Sequence, residues 1–122
     1  MPDERGIVVV AEDDEDLRLL CRTVLEHDGF QIVEVTNGSD LAAALSENEA
    51  RVLLLDVHLG DDNGIDIARE LSESRPDLPI IFFSGSAQLY GSEAEEFAAA
   101  VISKPFQVEE LSETVARLAR RP

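Results

Sequence analysis

Ile7-Val8-Val9-Val10-Ala11, followed at once by Glu12-Asp13-Asp14, decides how this chain is read. An unbroken β-branched run has no apolar–polar alternation, so it reads as a strand buried on both faces. Working outward, the apolar pattern changes period in a regular order. Leu17, Leu20, Cys21, Val24 and Leu25 recur at helical spacing, and Gly29 follows as a stop signal. Phe30 to Val35 alternates, which reads as a strand nearer an edge. Asn37-Gly38 is a turn, and Ser39 is expected to cap a helix holding Leu41, Ala44 and Leu45. Val52-Leu53-Leu54-Leu55 is a second buried strand. Ile65, Ala68 and Leu71 mark a third helix, ending before Arg75-Pro76-Asp77. Ile80-Ile81-Phe82-Phe83 is a third buried strand, with its two phenylalanines on opposite faces. Gly85 to Gly91 reads as a loop, Glu93 to Ala98 as a short helix, and Ala100 to Ser103 as a short strand. Val108, Leu111, Val115 and Leu118 give the last helix its apolar face.

Strand–helix alternation of this kind means a parallel sheet with right-handed crossovers and helices on both faces. The expected fold is α/β: a flavodoxin-like, doubly wound, five-stranded sheet in the order 2-1-3-4-5. At 122 residues with 44% hydrophobic content, the chain suits one domain spanning residues 1–122, with no room for an output domain. The formal net charge of −16 repels nucleic acid phosphates and anionic lipid, so neither is an expected partner. No stretch resembles a signal peptide or a membrane span. Cys21 stands alone and can form no intramolecular disulfide, which points to a cytoplasmic setting. It lies on the core stripe of its helix as a small hydrophobe, and His27 in the last turn complements the helix dipole.

In doubly wound sheets ligands bind beyond the carboxyl ends of the strands. Here those ends deliver Glu12-Asp13-Asp14, Asp56, Ser84, and Ser103-Lys104-Pro105. Glu12, Asp13 and Asp56 together would crowd three negative charges unless a cation compensates them. With carboxylates and no convergent Cys or His, that cation should be hard, and Mg²⁺ fits best. Lys104 is the only lysine in a chain whose other basic residues are all arginine. Its compact charge can reach one oxygen where a guanidinium fork would not.

The segments Val8–Asp14, Leu53–Gly64, Ile80–Gly85 and Ile102–Phe106, in this order and spacing, resemble the receiver domain of two-component response regulators. The resemblance implies that Asp56 accepts a phosphoryl group from the phosphohistidine of a sensor histidine kinase or phosphotransfer protein. It implies that Glu12, Asp13 and the main-chain carbonyl of His58 complete a Mg²⁺ site with Asp56, and that Ser84 and Lys104 grip the phosphoryl oxygens. The signal would leave by changed binding to a downstream protein target. Such a domain is not an enzyme beyond catalysing its own phosphorylation and autodephosphorylation. Gly60 stands where the family usually has proline, Gly85 where it has alanine, and Val101 where it has an aromatic. A looser loop after Asp56 is expected from the first. From the last, a readout carried by the loop from Ser84 to Gly91 and the helix after it is expected. The alternative use is a phosphorylation-independent, receiver-like protein-interaction module. A haloacid dehalogenase-like phosphatase would need an aspartate where His58 stands, and a flavodoxin-like FMN binder would need a phosphate loop where Glu12-Asp13 stand.

Overall fold

The computed structural model describes residues 5–85 and 94–120. Five parallel strands form the sheet: β1 (Ile7–Ala11), β2 (Gln31–Val35), β3 (Ala50–Asp56), β6 (Ile80–Ser84) and β7 (Ala100–Ser103). Between β3 and β6 lies an antiparallel two-residue pair, β4 (His58–Leu59) and β5 (Asp62–Asn63). The sheet order is β2-β1-β3-β6-β7, which is the expected 2-1-3-4-5 once that small hairpin is set aside. The hairpin was not foreseen. Its strands are too short to carry any periodicity.

The helices are α1 (Glu15–His27), α2 (Gly38–Glu47), α3 (Gly64–Ser74), α4 (Ala94–Phe97) and α5 (Val108–Ala119). Successive residues of a strand point to opposite faces, so each central strand feeds two cores at once. Val9, Ala11, Leu53, Leu55, Ile80 and Phe82 face one core, shared with Leu41 of α2 and Ala68 of α3. Val8, Val10, Val52, Leu54, Ile81 and Phe83 face the other, shared with Cys21 of α1 and Leu111 of α5. This explains why β1, β3 and β6 show no polar alternation. Each fully buried Val, Leu or Ile contributes about 1.5–3 kcal/mol, which a polar residue would forfeit. Phe82 and Phe83 do part to opposite faces, and the Phe83 ring stacks on Phe106 at 5.3 Å between centroids.

Local capping sets where the helices begin. Asp14 accepts from the N–H groups of Asp16 and Leu17 and so starts α1. At α2 the cap is Asn37, which accepts from Asp40 N–H, and the helix already includes Gly38. The expected Ser39 cap is therefore corrected. Asn and Ser are equally good caps, and the earlier of the two won. Cys21 is buried, and burial pushes its thiol up to about 12, which removes it as a nucleophile. The His27 ring is exposed at the end of α1, 4.0 Å from the Asp28 carboxylate. Val101 is half-buried in β7 and packs with Phe97 against the first core. Residues 86–93 lie outside the described residues, and with them most of the segment expected to carry the readout. The helix expected to begin at Glu93 is described from Ala94.

Candidate functional site

The register of the sheet brings the acidic residues together. Ala11 of β1 pairs with Leu55 of β3, so the next residues, Glu12 and Asp56, emerge side by side. Asp56 pairs with Phe83 of β6, which places Ser84 one step further out, and Ser84 pairs with Ser103 of β7. Lys104 then leaves β7, and its N–H donates to Ser84 O at 2.8 Å. One carboxylate oxygen each from Glu12, Asp13 and Asp56 lies within 4.8 Å of the others. Lys104 Nζ donates to Asp56 Oδ2 at 2.8 Å and to Glu12 Oε1 at 3.2 Å. The main-chain N–H of His58 donates to Asp56 Oδ1 at 2.8 Å, and that of Gly60 to Asp13 Oδ2 at 3.3 Å. Ser84 is buried at the same edge. Glu12, Asp13, Asp56 and Lys104 thus meet in one pocket with Ser84 on the adjoining strand end, whereas Asp14 is spent on capping α1.

The match to known families is decisive at this point. Residues 8–116 fit the family described as the response regulator receiver domain. The chain belongs to that family. It is 32% identical over 114 residues to the response regulator receiver protein CpdR of Brucella abortus, covering 91% of this chain and 94% of that one. The response regulator SaeR of Staphylococcus aureus is 26% identical over 110 residues, and this chain spans 46% of its length. The structure of TrrA from Thermotoga maritima, in complex with Mg(2+)-BeF, shares the fold with a TM-score of 0.86. Its identity is 22%, over 93% of this chain and 98% of that one.

The charge balance of this receiver pocket is uneven. Glu12 is fully buried, and its Oε2 has no hydrogen-bond partner among the described residues. Burial pushes the Glu12 carboxyl up to about 8, and the neighbouring Asp56 carboxylate pushes the same way. Burial would also raise Asp56, but hydrogen bonds from Glu12, Lys104 and the His58 amide outweigh it and hold Asp56 below its usual value. Burial disfavours the Lys104 ammonium, yet Asp56 and Glu12 overcome this and raise it. One ammonium facing three carboxylates leaves the pocket short of positive charge. A proton kept on Glu12 would make up part of the deficit, and a hard divalent cation fits the same oxygen donors without any His or Cys. Among the described residues no helix is long and apolar enough to cross a membrane.

A pH dependence follows from Glu12. In cation-free protein the folded chain keeps a proton that the unfolded chain loses above 4.5. Between 4.5 and about 8 the folded state therefore binds more protons, and stability falls as pH rises. Glu12→Gln should flatten that slope in urea unfolding followed with EDTA across this window. Parallel pH profiles for the two proteins would refute the protonated Glu12.

Some contacts of the receiver pocket were not legible in the sequence. Arg18 Nη1 of α1 donates to Glu12 O at 3.0 Å while its Nε meets Glu34 Oε1 of β2 at 3.4 Å, clamping the backbone that carries the acidic pair. Asn63 caps α3 through the N–H groups of Ile65 and Asp66. A Cβ at Gly64 would lie 2.3 Å from Asp56 O, so only glycine lets the chain pass behind the aspartate. The only sequence signal for these was the Asn63-Gly64 pair. After Asp56 the chain is a paired hairpin tied to Asp13, where the absence of proline had suggested a looser loop.

Proposed function

We propose that this receiver domain is a phosphorylation switch in which Asp56 takes up a phosphoryl group beside a bound Mg²⁺. The observation that carries this reading is the convergence of Glu12, Asp13 and Asp56 with Lys104 on one sheet edge. Glu12, Asp13, Asp56 and the main-chain carbonyl of His58 would hold the ion. Mg²⁺ would neutralise the carboxylates and accept a phosphoryl oxygen while keeping some of its waters. The donor is the phosphohistidine of a sensor histidine kinase or phosphotransfer protein. A carboxylate oxygen of Asp56 bonds to phosphorus as the phosphorus–nitrogen bond breaks, and the electron pair leaves with the imidazole. Attack by water later releases inorganic phosphate and restores the carboxylate. No other substrate is turned over, and the output is altered binding to a protein target in the cytoplasm. Nucleic acid is not a partner, since the charge of −16 opposes it.

The test is incubation with acetyl phosphate and Mg²⁺ followed by intact mass measurement. One added phosphoryl group supports the switch. No gain at any donor concentration would favour a phosphorylation-independent interaction module instead.

Metal binding should depend on Asp13 and not on its neighbour. Asp14→Asn keeps a capping side chain at the start of α1 and should leave Mg²⁺ affinity within about twofold. Asp13→Asn removes one charged donor and should weaken it about tenfold or more. Loss of affinity in the Asp14 variant alone would shift the assignment by one residue.

A further inference from the structure

Three hydrogen bonds fasten the segment that follows Asp56. The His58 N–H reaches Asp56 Oδ1, the Gly60 N–H reaches Asp13 Oδ2, and Asp62 Oδ2 accepts from the Gly38 N–H at 2.8 Å. The segment thus spans from the acidic pocket to the first turn of α2. Gly60 has φ +60°, in the left-handed region, and its N–H faces Asp13. Space is not the reason for glycine here. A Cβ would meet nothing closer than Thr36 O, at 3.6 Å. Asp13 is exposed, and the bond from Gly60 is the one its carboxylate accepts among the described residues.

Left alone, an exposed carboxylate beside Glu12 and Asp56 would swing outward, because like charges repel. A backbone donor fixed by the hairpin opposes that swing with a charge-assisted hydrogen bond. We propose that the Gly60 amide is a positioning group of the cation site, holding one oxygen of Asp13 so that the other serves the cation. The same hairpin carries occupancy of the site to the N-terminus of α2 through Asp62. This rests on the reading of Glu12, Asp13 and Asp56 as a cation site. Coupling of this kind is reciprocal: an amide that tightens when the ion binds must itself favour binding.

Titration with Mg²⁺ alone, followed by amide chemical shifts, separates the two claims. In the wild type, shifts at Asp13 and Asp56 report binding, and the Gly60 and Gly38 amides should move with the same midpoint. Gly60→Pro lacks the donor and cannot adopt the positive φ, so Mg²⁺ affinity should fall about fivefold, the part of a charged hydrogen bond that survives screening at an exposed carboxylate. Gly60→Asn keeps the donor, has room for its Cβ and is among the few residues that readily take the left-handed region, so affinity should stay within about twofold of wild type. Asp62→Ala should still bind Mg²⁺ but lose the response at Gly38. Gly60→Pro binding as tightly as wild type, Gly60→Asn weakening as much as Gly60→Pro, or a Gly38 amide unmoved by saturating Mg²⁺ would overturn the proposal and leave the cation site standing. No Mg²⁺-dependent shift at Asp13 or Asp56 would overturn the cation site itself, and this inference with it.

Discussion

Asp56→Asn should abolish phosphoryl uptake while leaving the domain folded. The asparagine side chain has nearly the same shape, and its carbonyl oxygen can still accept the His58 N–H that now binds Asp56 Oδ1. What it lacks is a carboxylate to form an acyl phosphate. The environment favours the ionised form of Asp56 through Glu12, Lys104 and the His58 amide, so the nucleophile is ready without a separate base. The substitution also removes the carboxylate that pairs with Lys104 at 2.8 Å, so cation-free stability should fall somewhat without loss of the fold. Wild type should gain one phosphoryl group from acetyl phosphate and Mg²⁺ and lose it in hydroxylamine. Equal mass gain in Asp56→Asn would sink the assignment.

Lys104→Met and Ser84→Ala should each still accept phosphoryl yet lose most of the conformational change. In the resting structure Lys104 is already engaged by Asp56 and Glu12. A phosphoryl group on Asp56 would offer it a more charged partner, while Ser84 sits buried at the end of the neighbouring strand. Charged hydrogen bonds contribute about 1.5–3 kcal/mol each, so the two together supply roughly 3–6. Moving an equilibrium from 1:99 to 99:1 needs about 5.5 kcal/mol, so neither grip suffices alone. Lys104→Met carries a second effect, since it leaves Glu12 and Asp56 facing each other without their ammonium. Lys104 holds the Glu12 pKa down, so in this variant Glu12 should keep its proton to higher pH and stability should go on falling over a wider pH window than in wild type. Amide shifts with beryllofluoride and Mg²⁺ read out the response. A full response in each variant would refute a switch with two grips.

The legible parts of this protein were those written in short stretches of chain. Val8 to Ala11 and Val52 to Leu55 announce buried strands by composition alone, and the residue that ends each run is where a parallel sheet presents its chemistry. Glu12, Asp56, Ser84 and Lys104 could therefore be placed on one edge before any coordinate was known. Asp13 and Asp14 could be told apart only by position, and the structure supplies the reason, since Asp14 faces the helix it caps. The illegible parts are contacts across long separations that leave no local pattern. Arg18 holding the Glu12 carbonyl, Asp62 holding Gly38, and Gly60 holding Asp13 each use a residue that reads as ordinary surface or turn. Gly60 stands out in the sequence for the absent proline, whereas the N–H that proline would lack matters only through its contact with Asp13.

The pairing of Ala11 with Leu55 has a consequence for how the site tolerates change. Neighbouring strands lie about 4.7–4.9 Å apart wherever backbone hydrogen bonds join them. The sheet therefore acts as a gauge block for Glu12 and Asp56: their spacing is machined by main-chain bonds that no side-chain substitution alters. Loops around the pocket can drift, lengthen or exchange residues while that dimension stays fixed. A single-residue slip of β3 is a different matter. It would put Leu55 or Val57 opposite Glu12 and turn the leucines of the strand to the wrong cores, so the error would be paid in unfolding before it could be felt in chemistry.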